Sequence, residues 1–449
     1  MSEHEIPTQL LLSLMDEELQ LTVGCTDPTA MGLGVAAAVE TYIQHVPAWE
    51  KEPLVSQLSS LEVTVDRNLF KNASSVGLPQ MGESGIPLAI ALGALIHDTA
   101  RSLLLFEYIS PDLKLAAHEL VKTVPIAVLV DETSREVSVL VSARWKDGCI
   151  SGASIKGHHN RILWTSFNDK KTMSQVVAEK IEDNAFPQMG SPIVLEDLEA
   201  LARAVEKIPD SELGKLAQGI AVNREASNEG LSDMYGFSEG PSPVRLVYEA
   251  RRRVENATRA RMGGKNIPIM ATGGSGNHGI TVFLTLYEGW QLSAINPDHS
   301  LLQGALLAVV VLYLIKQKTG ILTPMCGCAV SSALAVSCSL VWGLGGTAEQ
   351  MLQAMNIVLN SLGGVVCDGA KVSCSLKTSL GAQVALESAL SAMKGMVVPP
   401  SEGLASDSFS GLLETLRRIH VEGMASFDQT MVSIIRARNA NKKIEGKSE

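Results

Sequence analysis

The stretch VSVLVSARWKDGCISGASIK, residues 137–156, alternates apolar and polar side chains on both sides of a turn signal. Residues 137–145 and 150–156 each show the two-residue period of a half-buried strand. Asp147-Gly148 between them favours the tight turn that joins two antiparallel strands. The stretch therefore predicts a β-hairpin.

More strand-like runs and several helices surround this hairpin. Strands are predicted at residues 61–65, 124–130 and 161–167. Ser110-Pro111 marks the start of a helix between the first two of these strands, with the serine as N-cap. These runs predict N-terminal helices packed against an antiparallel sheet, an arrangement typical of α+β proteins.

The second half of the chain has a different pattern. Beyond Gly264 the sequence indicates helices almost throughout, and 449 residues exceed one typical domain. We therefore predict an α+β fold in two parts, an α+β domain at residues 1–265 and a mainly helical domain at 266–449. The arginine-rich segment 244–261 is predicted to be a helix whose arginines are solvated or ion-paired.

Composition excludes several classes of partner. The net charge of −11 argues against nucleic acid, whose phosphates need a basic surface. The apolar run at 300–315 is shorter than the roughly 20 residues of a membrane span, and 321–348 is crowded with small polar residues. Both runs are predicted to be buried helices. An acidic N-terminus without an apolar signal segment favours the cytoplasm.

The cysteines are unevenly distributed along the chain, and this clustering needs an explanation. Five of the seven lie between residues 321 and 376, namely Cys326, Cys328, Cys338, Cys367 and Cys374, while Cys25 and Cys149 are far upstream. A reducing cytosol and an odd count argue against disulfides. Zinc sites usually show close C-x₂-C pairs, which this chain lacks. Packing as small apolar side chains explains Cys338 and Cys149.

Cys326, Cys367 and Cys374 lie beside Pro, Gly or Asp, where the chain turns and a sulfur can face a cavity. Residues seven apart on a straight helix stand about 10 Å apart along its axis. Asp368-Gly369 lets the chain bend and bring Cys367 and Cys374 together. Such widely spread single cysteines suit a cubane cluster, and of Cys326 and Cys328 we expect only one to be a ligand.

A glycine-rich segment supplies a second candidate site. Residues 274–279 satisfy G-x-G-x-x-G, but a dinucleotide site needs a second strand, and the next apolar run is too long for one. The glycines instead favour a helix N-terminus whose N–H groups bind a substrate carboxylate. Asn277 and His278 would lie at this helix N-terminus.

Several separated motifs, in one order and nearly end to end, resemble the L-cysteine desulfidase family, relatives of the iron–sulfur L-serine dehydratases. They are Gly24–Pro28, Asn68–Asn72, Gly85–Pro87, Arg261–Gly264, Gly273–Gly279 and Cys367–Cys374. The resemblance implies an oxygen-sensitive [4Fe–4S] cluster and β-elimination from a small amino acid. The expected reaction converts L-cysteine to pyruvate, ammonia and hydrogen sulfide.

The resemblance also implies site residues. The expected cluster ligands are Cys326, Cys367 and Cys374, with Cys25 as either a fourth ligand displaced by substrate or an acid–base thiol. The proton-abstracting base stays open among three candidates, Cys25, His278 and Lys71. The residues expected to bind substrate are Asn72, Ser275, Gly276 and Asn277.

Alternatives to cysteine desulfuration remain open. They are L-serine dehydration with the same type of cluster and a non-catalytic helical metal-binding or scaffold role. Pyridoxal phosphate is disfavoured, because no lysine lies in a convincing pocket motif. The sequence is also compatible with a homo-oligomer.

Overall fold

The computed structural model describes residues 5–46, 53–174, 196–229, 243–292 and 294–445. Over these ranges a sheet region in the N-terminal half is followed by a mainly helical part, so the predicted α+β class is confirmed. The strands are β1 Gln20–Val23, β2 Leu58–Asp66, β3 Ile126–Asp131, β4 Ser138–Trp145, β5 Ile150–Lys156, β6 Ile162–Phe167, β7 Lys170–Met173 and β8 Pro268–Ala271.

Six of these strands form one sheet in the order β3-β2-β4-β5-β6-β7. The predicted hairpin is present as the antiparallel pair β4–β5. The predicted antiparallel pairing is found in four of the five neighbouring strand pairs, whereas β2 and β3 are parallel. Parallel neighbours need a long crossover, and the chain between them supplies it as helices α4 Arg67–Ala73, α5 Ile86–Ile96 and α6 Pro111–Thr123.

The helix predicted from Ser110-Pro111 is α6, and the Ser110 side chain accepts a hydrogen bond from the Leu113 backbone N–H. The preceding helices are α1 Thr8–Glu18, α2 Thr26–His45 and the short α3 Leu54–Gln57. Helix α2 packs on β4 and β5. A Cβ at Gly34 would lie 3.2 Å from both Val139 and Val141, so the glycine lets α2 approach the sheet closely.

The helical part contains nine further long helices among the described residues. They are α7 Leu198–Glu206, α8 Gly214–Ser227, α9 Pro243–Met262, α10 Gly276–Gly289, α11 Leu301–Thr319, α12 Val330–Gly343, α13 Ala348–Leu362, α14 Cys374–Met393 and α15 Phe409–Arg418. A last helix, α16 Phe427–Glu445, returns to pack on α4. Helix α9 confirms the helix predicted at 244–261.

Helix α11 is the one described helix that is long and apolar enough to cross a membrane. In this fold 72% of its most apolar window is buried inside the protein. Its neighbours include α1, α12 and α15, so it lies within the helical core. The expectation of a buried helix at this position therefore agrees with the structure.

The apolar side chains form two main cores. One joins α2, α5 and the sheet, and the other joins α10 to α15 with α1, α7 and α8. The short strands β1 and β8 pair in an antiparallel ribbon, which ties residues 20–23 to the helical part. The domain boundary at residue 265 stays a prediction, but the cores themselves do not divide there.

Candidate active site

One cavity collects side chains that are far apart in the sequence. It occupies about 620 Å³ including its open mouth, within the range of small-molecule sites. Its walls come from the starts of α2, α10 and α14, the ends of α4 and α9, and the loops before α12 and α14. Cysteines line it at five positions, Cys25, Cys326, Cys328, Cys367 and Cys374.

Cys25 enters this cavity from the start of α2. The short strand β1 stands between α1 and Cys25. Gly24 makes the turn at φ +73°, and a Cβ there would lie 2.6 Å from Pro79. The Cys25 thiol is buried, lies 3.2 Å from an oxygen of Asp27, and packs in one small apolar cluster with Cys374.

Two loops bring the other cysteines together. The Cys326 N–H donates to the Val365 carbonyl, and the Cys367 N–H donates to the Pro324 carbonyl. Gly369 has φ +97°, and a Cβ there would lie 2.7 Å from the Lys71 carbonyl oxygen. The chain therefore turns sharply after Cys367, as the Asp368-Gly369 pair predicts, before Cys374 begins α14. Both Cys326 and Cys328 face the cavity, so the choice between them stays open.

The two remaining cysteines lie outside the cavity. Cys338 is fully buried in α12, where burial raises the pKa of its thiol. Cys149 lies in the turn of the β4–β5 hairpin, with its sulfur 3.8 Å from the Asn168 amide. All seven cysteines are free thiols.

His278 lies on the first turn of α10 and is buried. Its Nδ1 is 3.0 Å from the Gly273 carbonyl oxygen, so Nδ1 carries the hydrogen and Nε2 presents a lone pair. No described residue bonds that Nε2 atom. Burial, helped by the charge of Lys316, lowers the pKa of His278 to about 3, so its ring is neutral.

Two buried cations stand at the same site, and the sequence did not single them out. The Lys316 Nζ atom on α11 has no hydrogen-bond partner among the described residues, and burial lowers its pKa to about 8. A Cβ at Gly327 would lie 2.8 Å from His278 Nε2 and 3.1 Å from Lys316 Nζ. The glycine between Cys326 and Cys328 therefore leaves open the space that both nitrogens face.

Arg261, the second cation, lies on the buried face of α9 near the C-terminal end of the helix and is 1% exposed. Its Nη1 donates to the Asn277 side-chain oxygen at 2.8 Å. This position departs from the solvated or ion-paired role expected for the arginines of α9. Arg252, Arg253 and Arg259 keep that role, each paired with a glutamate.

Lys71 and Asn72 end α4 beside the cavity. Asn72 lines it and donates to an Asp27 oxygen at 3.2 Å. The Lys71 ammonium is buried against Asp428 of α16, with Nζ 2.6 Å from Oδ1. Burial acts to lower the pKa of Lys71, but the nearby Cys367 and Asp428 outweigh it and the pKa is raised. Lys71 is therefore a charged, paired group.

The glycine-rich segment follows β8 and begins α10. Among the described residues strand β8 pairs only with β1, and that pair is antiparallel, so these residues do not form the βαβ unit of a dinucleotide site there. Ser275 is the N-cap of α10, and its Oγ accepts from the Asn277 N–H at 3.3 Å. Ser275 and Asn277 both line the cavity, and Gly276 lies between them.

The donor set fits a cluster better than a single metal ion. Over the described ranges, no three His, Cys, Asp or Glu side chains converge closely enough to hold one ion. A cubane differs because each thiolate binds its own iron, so the sulfurs surround a volume instead of pointing at one centre. Five thiols and the Arg261 guanidinium line one cavity, and the Lys316 ammonium lies close to Gly327 in its wall, which suits such an anionic, sulfur-bound group.

Burial keeps four of these thiols protonated in the protein alone. It raises the pKa of Cys328 to about 12, and it also raises the pKa values of Cys25, Cys326 and Cys374. Binding to iron would deprotonate them, because a metal-bound thiol ligates as thiolate. Loading a cluster here is thus expected to release protons.

Fold and site together define a protein with a thiol-lined, cation-bearing pocket between a sheet layer and a helical core. The family model described as "Serine dehydratase alpha chain" matches residues 161–433, more than half of the sequence. The chain belongs to this family, which indicates a lyase of the serine dehydratase type. The matched region includes Arg261, His278 and the four cavity cysteines from Cys326 to Cys374.

Relatives named "UPF0597 protein" match almost the whole chain. One from Methanocella arvoryzae is 30% identical over 445 residues, covering 95% of this chain and 98% of its own length. One from Clostridium botulinum is 29% identical over 447 residues, with 97% and 98% covered. Another, from Alkaliphilus oremlandii, is 27% identical over 442 residues, with 95% and 98% covered. The similarity thus extends over the N-terminal part that carries Cys25 and Asn72.

Proposed function

We propose that this protein is a [4Fe–4S]-dependent lyase that removes the β-substituent of a small L-amino acid, with L-cysteine as the favoured substrate. The single observation that carries the proposal is the cavity itself, where five of the seven cysteines meet. Cys25 joins the others from about 300 residues away. The family is generally an iron–sulfur one, which supports the same cofactor.

The cluster would be held by Cys367, Cys374 and either Cys326 or Cys328. Cys25 is then a fourth, displaceable ligand or an acid–base thiol. When bound, the cluster supplies a Lewis-acidic iron that stabilises the departing sulfide or hydroxide. The protein's own groups must orient the substrate, exclude water and take the α-proton.

The elimination is not a redox reaction. The Cα–H electron pair becomes the Cα=Cβ bond as the proton passes to a base, and the sulfur leaves with the electron pair of the C–S bond. The enamine product, 2-aminoacrylate, hydrolyses to pyruvate and ammonia. Of the three candidate bases, His278 and Cys25 have the support of lining the cavity, whereas Lys71 is occupied by Asp428.

L-Serine is the alternative substrate, and the name of the matching family favours it. A non-catalytic scaffold is less well supported, because a storage or structural role does not call for the unpaired Arg261, Lys316 and His278 nitrogens at the cavity. Free thiols and an oxygen-sensitive cofactor both suit a reducing cytoplasm.

The test is purification without oxygen, followed by analysis of iron and acid-labile sulfide. L-Cysteine and L-serine are then added separately, and sulfide and pyruvate are measured. We expect a cluster, and both products from L-cysteine. Pyruvate from L-serine alone would replace desulfuration by dehydration. A full cluster with no product from either substrate would contradict the proposal.

A further inference from the structure

The Arg261 guanidinium is buried, and three of its five N–H donors, those on Nε and Nη2, have no partner among the described residues. The side chain is 1% exposed. The ion pairs found over the same residues do not include Arg261, although Arg252, Arg253 and Arg259 of α9 each have a glutamate. A buried unpaired charge costs far more than an exposed one, so its retention calls for a partner.

The free nitrogens are arranged as a fork. In arginine the Nε–H and one Nη2–H are parallel and lie on the same edge of the planar group, which matches the two oxygens of a carboxylate. The other terminal nitrogen, Nη1, donates to Asn277 Oδ1 at 2.8 Å, which fixes the plane. Arg261, Asn277 and Ser275 all line the cysteine cavity.

Gly276 keeps this fork in place. A Cβ at Gly276 would lie 2.6 Å from both Cζ and Nε of Arg261, and 2.8 Å from Nη2. A point as close to Cζ as to the nitrogens lies over the face of the guanidinium, not across its edge. Gly276 therefore supports the flat face and leaves the Nε–Nη2 edge free.

The start of α10 adds to the attraction for an anion. Gly276 is the first residue of this helix of 14 residues. The first N–H groups of a helix have no partner within it, and the helix dipole favours negative charge there. The unpaired Arg261 edge and the helix start thus converge on one side of the cavity.

We propose that Arg261 binds the α-carboxylate of the substrate through its Nε–Nη2 edge, with Asn277 as the positioning residue that holds the guanidinium. The inference rests on the proposed function in taking the ligand to be a small amino acid. It predicts the specificity of the site: a free α-carboxylate is required, and the amide or the decarboxylated amine of the same compound is rejected.

The experiment uses L-alanine, which has the α-carboxylate but no leaving group, and its amide L-alaninamide, in which an uncharged carboxamide replaces the carboxylate. Binding of each is measured by calorimetry to the anaerobically purified wild type and to three variants. Arg261→Gln removes the fork, and Gly276→Ala displaces it without removing the charge. Arg259→Gln is the matched control, since Arg259 is two residues away on α9 but only partly buried and paired with Glu255.

We expect the wild type and Arg259→Gln to bind L-alanine. L-Alaninamide should bind the wild type about 100-fold or more weakly than L-alanine does. Arg261→Gln and Gly276→Ala should each weaken L-alanine binding by the same factor, as for loss of a buried charged partner. Equal binding of the acid and the amide by the wild type would overturn the inference without any variant. Unchanged L-alanine binding by Arg261→Gln, with or without loss of iron, would overturn it too.

This test separates the two proposals. Fork-dependent binding of L-alanine by a protein that turns over neither L-cysteine nor L-serine would contradict the proposed function and leave the carboxylate site standing. Turnover of L-cysteine with a KM that does not change in Arg261→Gln would support the proposed function and contradict the carboxylate site.

Discussion

The Nδ1 atom of His278 lies 3.0 Å from the carbonyl oxygen of Gly273, while the N–H of Gly273 donates to Glu18 at 2.9 Å. Gly273 has φ +55°, in the left-handed region that glycine tolerates best. One glycine therefore connects α1 to the imidazole at the cavity. The consequence is a fixed tautomer, with the lone pair of Nε2 directed away from the backbone.

We expect His278→Gln to lower kcat by about 100-fold or more, the usual contribution of a positioned proton acceptor. Iron content should not change, because His278 is not an expected ligand. His420→Gln is the control, since His420 is also buried, bonds a carbonyl through Nδ1 and has an unpaired Nε2, but does not line the cavity. Equal losses in both variants would assign His278 a structural role only.

Lys316 presents a trade-off between stability and activity. Its buried, unpaired ammonium should cost stability, so Lys316→Met is expected to raise the free energy of unfolding of the cluster-free protein by about 1–3 kcal/mol. Activity should fall at least tenfold, roughly, because a cation beside the thiols stabilises developing negative charge. Chemical denaturation and turnover assays measure the two effects.

Lys318→Met is the matched control on the same helix. Lys318 is only partly buried and is paired with Glu196 at 2.8 Å, so its loss should change stability by less than about 1 kcal/mol. A Lys316→Met protein that is less stable than wild type would mean that the ammonium has a partner that compensates its burial.

Sequence pattern predicted much of this fold because alternation and helical periodicity report burial directly. Strands β4 and β5 each bury one face, so their pattern was clear. Strand β7 was missed because all four of its residues are exposed and carry no alternation. The parallel pair β2–β3 was missed because the relative direction of two distant strands is set by the whole crossover between them, which the pattern of either strand does not show.

The candidate site was likewise predicted only in part from the sequence. Cysteines are rare enough to draw attention, and all of the expected cluster ligands line one cavity. Arg261 was missed although a signal existed: Ala250, Val254 and Ala257 define the buried face of α9, and Arg261 continues it. The pattern shows which face of α9 is buried. The role of a charged residue on that face depends on the groups that lie opposite it in the folded protein, which the pattern does not show.

Glu18 should make stability depend on pH. Burial raises its pKa to about 7, above the value of about 4.3 of an unfolded chain. The native state then binds more protons than the unfolded state between these values, so stability falls as pH rises from about 4.5 to 7. Partial exposure limits the effect to about 2 kcal/mol.

Glu18→Gln should remove this slope while keeping an oxygen for the Gly273 N–H. Denaturation curves at pH 4.5, 6 and 8 measure it. The variant should be more stable than wild type at pH 8 and similar to it at pH 4.5. Parallel pH profiles for both proteins would show that Glu18 is ionised normally in the native state.

The cluster assignment makes a graded prediction for the cysteines. Cys367→Ala or Cys374→Ala should abolish both cluster and activity, because a cubane that lacks one of three thiolates is readily lost. Cys338→Ala and Cys149→Ala should retain iron, since neither lines the cavity. Iron and acid-labile sulfide are measured in each variant. Full iron content in Cys374→Ala would transfer its ligand role to Cys328.

Cys25 is the most demanding case, because its two candidate roles predict the same loss of activity. Its thiol packs with Cys374 in one apolar cluster, so a ligand role is within reach, and its bond to Asp27 equally suits a proton carrier. Cys25→Ser should stop turnover in both cases.

The resting absorption and electron paramagnetic resonance spectra distinguish the roles of Cys25. A changed spectrum would identify a fourth ligand that gives way to substrate, and we expect this result. An unchanged spectrum with no turnover would identify an acid–base thiol on a cluster that is open at rest. Full turnover by Cys25→Ser would exclude both roles, since each needs the sulfur at the moment when substrate binds or the proton moves.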